Sequence, residues 1–182
     1  MRHSLKLHPD SSSKAVKSVT VDVTRPHLST LALHYVAEGD IAGVVIPPST
    51  VSKRRDELWK HTCFEVFLRR PSGSSYAEFN FSPSTEYAGY GFTRYREGMI
   101  GALGTTPEVS SSSSPTRLEL RASIWMGRLG EIDPEGELRL GVSAIIEEAD
   151  GSKSYWALAH PQGKPDFHHA DSFVLALPAE QT

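Results

Sequence analysis

The chain of 182 residues holds a single cysteine, Cys63. That excludes an intrachain disulfide and every Cys-x-x-Cys metal motif. No stretch approaches eighteen apolar residues, so no helical membrane span is written into the sequence. The first residues, MRHSLKLHPDSSSK, carry basic side chains but lack the apolar run of a secretory signal. Together with the free thiol this gives the expectation of a cytoplasmic protein, unless a leader was removed earlier. No Gly-x-Ser-x-Gly, no P-loop and no Gly-x-Gly-x-x-Gly after a strand is found. Serine-hydrolase, NTPase and dinucleotide chemistry are thus without support. Lys and Arg number 19 against 22 Asp and Glu, a net charge of −3. A whole-chain basic field for nucleic acid is excluded, and the expected partner is a small molecule rather than nucleic acid or membrane.

Sustained helical periodicity is also missing, and alternation with period two takes its place. Val19, Val21 and Val23 share one face, with Thr20 and Asp22 on the other. Strand-like segments follow at residues 30–37, 62–69, 76–81, 86–95, 117–124, 137–147, 154–160 and 172–177. Residues 50–60 read as one short helical turn at most. Many short strands with turn signals about every ten residues indicate an all-β, antiparallel sandwich or barrel in a single domain over 1–182. Residues 1–14 are expected to be loosely ordered. Residues 104–115, ending in the run Ser110 to Ser114 before Pro115, are expected to form a mobile loop.

One hairpin can be resolved to its register. Pairing Phe64 with Phe81, Val66 with Phe79 and Leu68 with Ala77 makes one continuous apolar face. The same register sets Cys63, Glu65, Phe67 and Arg69 beside Ser82, Asn80, Glu78 and Tyr76. A slip of one residue would mix the two faces and cost burial. The polar face is either the outer surface or the floor of a groove, since antiparallel sheets often meet water on one side.

Chemistry can be placed at three points. Trp59, flanked by Lys60 and His61 just before a strand, suits a stacking platform for a flat ligand. The alternative is a Trp that caps the core. Glu65 and Glu78 fall on one face of neighbouring strands, diagonally offset, which allows the separation of about 5 to 9 Å that glycoside hydrolysis needs. Solvated or Arg-paired carboxylates are the plainer reading. The stretch from His160 to Asp171 gathers His160, Lys164, Asp166, His168, His169 and Asp171 in one loop. Such side chains either stiffen the loop through its own backbone or line a binding site. A metal site drawn from His160, His168, His169 or Asp171 matches no recognised zinc spacing. Arg94, Tyr95 and Arg96 could grip an acidic group. Cys63 with His61 two residues earlier could form a nucleophile pair, though a lone Cys is usually a small buried hydrophobe.

Three runs add a resemblance: LWKHTCFEVFLR (58–69), YAEFNFSPSTEYAGYGFTRYREGM (76–99) and SYWALAHPQGKPDFHHADSFVLAL (154–177). Together they resemble bacterial DOMON-like proteins, which are similar to family-nine carbohydrate-binding modules. The resemblance implies a β-sandwich of jelly-roll type and a ligand-binding role, with sugars or haem as the ligands. Glu65 matches the acidic strand position of the carbohydrate-binding modules, while a second matching tryptophan is not found. For haem, Met99 and His160 would be the candidate axial ligands. Calcium is the other cofactor to consider.

The combined expectation is a non-catalytic module for a carbohydrate or sugar-like metabolite. Trp59 would stack on the ring beside His61, and Glu65, Glu78, Asn80 and Arg94 would bind its hydroxyls. His160, Lys164 and His168 would close one rim. A glycosidase-like hydrolase using Glu65 and Glu78, or a haem-binding module, is the alternative.

Overall fold

The structure is a computed structural model that describes residues 1–101, 103–127, 129, 132 and 136–179. Its regular elements are strands, joined by three short 3-10 turns. The strands are β1 (Arg2–Leu7), β2 (Val16–His27), β3 (Thr30–Gly39), β4 (Cys63–Arg69), β5 (Tyr76–Phe81) and β6 (Tyr87–Phe92). They continue with β7 (Ile100–Gly101), β8 (Glu108–Ser114), β9 (Arg117–Trp125), β10 (Leu138–Glu147), β11 (Lys153–Ala157) and β12 (Leu175–Leu177). Neighbours run antiparallel in the order β7-β6-β5-β4-β10-β11-β1-β2-β3-β9-β8, with β12 added beside β10. β1 is the hinge of this order. Arg2 to Leu5 pair with β2, whereas Lys6 and Leu7 pair with β11.

The sheet folds back so that its two halves share one core. Val19, Val21, Leu31, Leu33, Leu118 and Leu120 come from the first half. Phe64, Val66, Leu68, Phe79, Phe81, Leu140 and Val142 come from the second. Tyr35 joins the layers: its ring lies 5.0 Å from that of Phe64, and its hydroxyl donates to the Glu65 carbonyl at 2.8 Å. The alternation read from the sequence supplies these inward faces because successive strand side chains point to opposite sides. The β4–β5 register is the expected one, with Phe64 opposite Phe81, Val66 opposite Phe79 and Leu68 opposite Ala77.

Some segments differ from their sequence reading. Within residues 1–14, β1 is a paired strand, and Leu5 is buried in the core. Its partners are β2 and the far-off β11, and a short stretch gives no local sign of such pairing. Within 104–115, the serine run is strand β8, paired with β9 from Glu108–Ser123 to Ser114–Arg117. The turn at Pro115 and Thr116 aligns the backbones, and an edge strand can form its ladder without apolar side chains. Residues 172–177 are strand only over Leu175–Leu177, after a 3-10 turn at Ala170–Ser172. The helical turn expected in 50–60 is the 3-10 turn Leu58–Lys60.

Candidate functional site

The outward face of β4, β5, β6, β10 and β11 is not an open surface. It carries a second apolar cluster that includes Phe67, Tyr76, Tyr90, Phe92 and Ile145. Over this cluster lies the connection between β11 and β12, which sets down Phe167 and Phe173 as buried residues. A turn through Leu58–Lys60 covers a second side. Between these covers a cavity of about 390 Å³ remains, lined by Trp59, Glu65, Phe67, Glu78, Tyr90, Phe92, Arg96, Met99, Ile145, Tyr155, Pro165, Phe167 and His168. That size falls in the lower part of the range of roughly 300–1,000 Å³ seen for small-molecule sites.

The floor is acidic and buried. Glu65 is 2% exposed, Glu78 5% and Asn80 0%. Glu65 lies opposite Asn80 in the ladder, and Glu78 follows two residues before Asn80 on the same face. Asn80 donates its amide to Glu78 at 2.8 Å, and Ser143 of β10 donates its hydroxyl to Glu65 at 3.0 Å. Burial disfavours the ionised form of each carboxyl, and the nearby Glu78 charge adds to this at Glu65. Glu65 is pushed up to about 8 and Glu78 to about 7. The two therefore titrate as a pair near neutrality rather than in the usual carboxylate range.

One wall is a polar relay. Burial, then the Arg96 charge, lowers His168 to about 4, so the ring is neutral at pH 7. Its Nδ1 lies 2.8 Å from the Tyr76 hydroxyl, which itself accepts the Arg96 backbone N–H at 3.1 Å. If that hydroxyl donates to Nδ1, the ring proton sits on Nε2, which faces Glu78 at 3.7 Å. The Arg96 guanidinium is held by Asp166 at 2.8 Å, and Tyr95 donates to the same carboxylate. Arg96 adopts φ 55° and Glu57, just before the Trp59 turn, φ 65°. Left-handed backbone at non-glycine residues is costly and is held only by surrounding structure. Both outliers set down side chains or turns that line the cavity.

The structure brings together five of the nine residues expected to bind the sugar. Trp59, Glu65, Glu78 and His168 line the cavity, and Asn80 lies beneath, bonded to Glu78. Four others lie outside the lining. His61 is exposed and pairs with Glu147 at 2.7 Å. Arg94 pairs with Glu97 across the turn after β6. His160 gives its Nε2 to the Lys6 carbonyl at 2.8 Å and stacks edge-on against His8. Lys164 is exposed at the loop tip. Met99 and His160 do not meet either, since only Met99 reaches the cavity. Cys63 is fully buried, and burial pushes its thiol well up, so it forms no nucleophile pair with His61. Among the described residues, no group of three or more His, Cys, Asp or Glu is arranged to hold a metal ion.

Sequence reasoning passed over Ser143, Tyr155 and the aromatic walls. Their parity places them outward, and outward aromatics on an antiparallel sheet signal a cover. Arg96 rather than Arg94 reaches in, because the positive φ at Arg96 turns the chain after β6.

The sequence matches no family model, and it matches no curated protein at a significant level. Among solved structures, the chain is similar to a candidate carbohydrate-binding protein from Bacteroides uniformis ATCC 8492. The TM-score is 0.72 at 16% identity, over 96% of this chain and 84% of that one. It is also similar to a family 9 carbohydrate-binding module from Caldicellulosiruptor kristjanssonii in complex with glucose. There the TM-score is 0.51 at 9% identity, over 87% of this chain and 76% of that one. At these identities the likeness establishes the fold.

Proposed function

We propose that this protein is a carbohydrate-binding module whose ligand occupies the aromatic-walled cavity over Glu65 and Glu78. The observation that carries the reading is a cavity with an aromatic wall and a buried hydrogen-bonding floor. Sugars need both: their C–H faces pack on rings, and their hydroxyls demand fixed polar partners. The fold shared with proteins described as binding carbohydrate supports it. On this reading the sandwich is a DOMON-like jelly roll of the cytoplasm. Trp59, at the rim and 38% exposed, contributes the stacking surface. Glu65 and Glu78, the latter held by Asn80, receive hydroxyl groups, and His168 closes one side.

A thermal-shift screen against mono- and oligosaccharides tests this. Saturation at 100 times Kd adds about 2.7 kcal/mol, which raises Tm by several degrees in a chain of this length. Trp59→Ala should abolish the shift while leaving the unliganded Tm close to that of the parent. No shift with any sugar sinks the proposal.

A second reading is favoured by one observation, the two buried carboxyls that both titrate near neutrality. One neutral acid beside one carboxylate is the equipment of a glycosidase. Release of reducing ends from a bound oligosaccharide, lost in Glu65→Gln or Glu78→Gln, would move the assignment from module to enzyme.

A further inference from the structure

A second hollow, about 490 Å³ on the outer side of β2, β3, β8 and β9, is lined by Asp22, His34 and Arg121 among others. Each of these three is already in an ion pair, with Arg2, Glu119 and Glu119 respectively. The cavity over Glu65 and Glu78 differs. Among the described residues, Glu65 forms no ion pair, and the basic side chain within 4 Å of Glu78 is His168 at 3.7 Å, whose ring is neutral at pH 7. Arg96 faces Glu78 but its guanidinium is engaged by Asp166.

The hydrogen-bond inventory of the floor is one-sided. Ser143 and Asn80 each already donate to one of the carboxyls. What is left over is Asn80 Oδ1 and, once the carboxyls ionise, their free oxygens, all of them acceptors. Asn80 Oδ1 is buried with no partner. Glu65 has a single side-chain bond, to one of its two oxygens, and Glu78 Oε2 meets only His168 beyond hydrogen-bond range. Unmet acceptors in a buried site are costly, and they are satisfied by a donor-rich group. An ammonium has three N–H donors, no acceptor, and a charge that two uncompensated carboxyls lack. Phe67, Tyr90, Phe92 and Tyr155 line the cavity around this floor, and aromatic rings attract cations.

We propose that the ligand is a cationic sugar: an amino sugar whose protonated amine sits between Glu65 and Glu78, above Asn80, while its ring lies against the aromatic wall. This rests on the carbohydrate reading and narrows it. Binding then couples to protons. Glu65 is faced by Glu78 and Asn80 from β5, by Ser143 from β10 and by Cys63 from its own strand. Glu78 is faced by Glu65 from β4, by His168 from the covering loop, by Arg96 from the turn after β6, and by Asn80 and Tyr76 from its own strand. The carboxyls are largely protonated at pH 5.5, and seating an ammonium ionises them. Affinity should rise as the pH goes from 5.5 to 7.5, and protons should be released on binding.

The experiment is isothermal titration of the unaltered protein with the trimer of glucosamine, the trimer of N-acetylglucosamine and cellotriose. Each is run at pH 5.5 and 7.5 in two buffers of different ionisation enthalpy. The expected result is at least tenfold tighter binding of the glucosamine trimer at pH 7.5, with proton release. Glu65→Gln with Glu78→Gln should abolish the preference for the amine. Equal or tighter binding of cellotriose, dependent on Trp59, overturns the amine proposal and leaves the carbohydrate reading standing. Binding of none of the three overturns both. Because the sugar comparison uses the unaltered chain, a failure of the double variant to fold leaves the test intact.

Discussion

Asn80 has no exposure at all, yet one of its polar atoms is unpartnered and the other is spent on a carboxyl. Side chains in that position are retained at a cost, because a buried polar group without a partner loses about 1–3 kcal/mol. Glu65 and Glu78 carry the same cost in another form. Both have folded-state values above the unfolded 4.5, so the folded state prefers them neutral. Their contribution to stability is fully present below about pH 4.5 and is lost as pH rises through 7 to 8. The double variant Glu65→Gln, Glu78→Gln removes that titration. The stability of the parent relative to the variant should fall by several kcal/mol as the pH rises from 4.5 to 8.5. Urea unfolding at fixed temperature across that range reads it. Parallel curves would mean that the two carboxyls are not strained by burial.

At the scale of the element, the β2–β3 hairpin shows how a single backbone position holds a register. Gly39 ends β3 at φ 155°, and a Cβ there would stand 2.0 Å from the Ala15 carbonyl oxygen. The ladder is shifted at this point, between Val16 and Ser18. A side chain would have to push the backbone of the strand's start away. Gly39→Ala should therefore destabilise the fold by about 1–3 kcal/mol, the usual cost of a strained backbone site. Thermal unfolding measures it, and a Tm equal to the parent's would show that the start of β2 yields freely. The β4–β5 hairpin was legible in full because its pattern is strict. A shift of one would have exchanged Phe64, Val66 and Leu68 for Glu65 and its neighbours. Strand β8 was not legible, because serine in a turn-rich stretch carries no burial pattern, and its ladder depends on β9.

At the scale of the molecule, β1 is the strand that joins the two halves of the sheet in the order of the described strands. Its first residues pair with β2 and its last two with β11. Leu5 enters the shared core from the same strand. A chain lacking residues 1–8 would expose the edges of β2 and β11 and leave Trp156 and Val19 without their neighbour. Exposed edges favour association with other chains. Such a truncation should lose cooperative thermal unfolding or go into aggregates, as circular dichroism and size-exclusion chromatography would show. A monomer that melts at the parent temperature would mean that the interlayer core alone holds the halves together.

The sequence by itself determined most of the strands, though not β1 or β8, the inward faces and the place of Glu65, Glu78 and Asn80 on one outward face. Those properties are local: alternation with period two fixes which side of a strand a residue takes. It also singled out Trp59 and the loop that carries His168. Tertiary structure decided that the outward face is a floor and not a surface, because Phe167 and Phe173 arrive from a loop some ninety residues away. It decided that Arg96 enters and Arg94 does not, through one left-handed residue in a turn. It brought Ser143 to Glu65 across a strand pair joined by neither turn nor hairpin. Alternation assigns a face, but the curvature and covering that make a face into a cavity come from long-range contacts, which no window of residues contains.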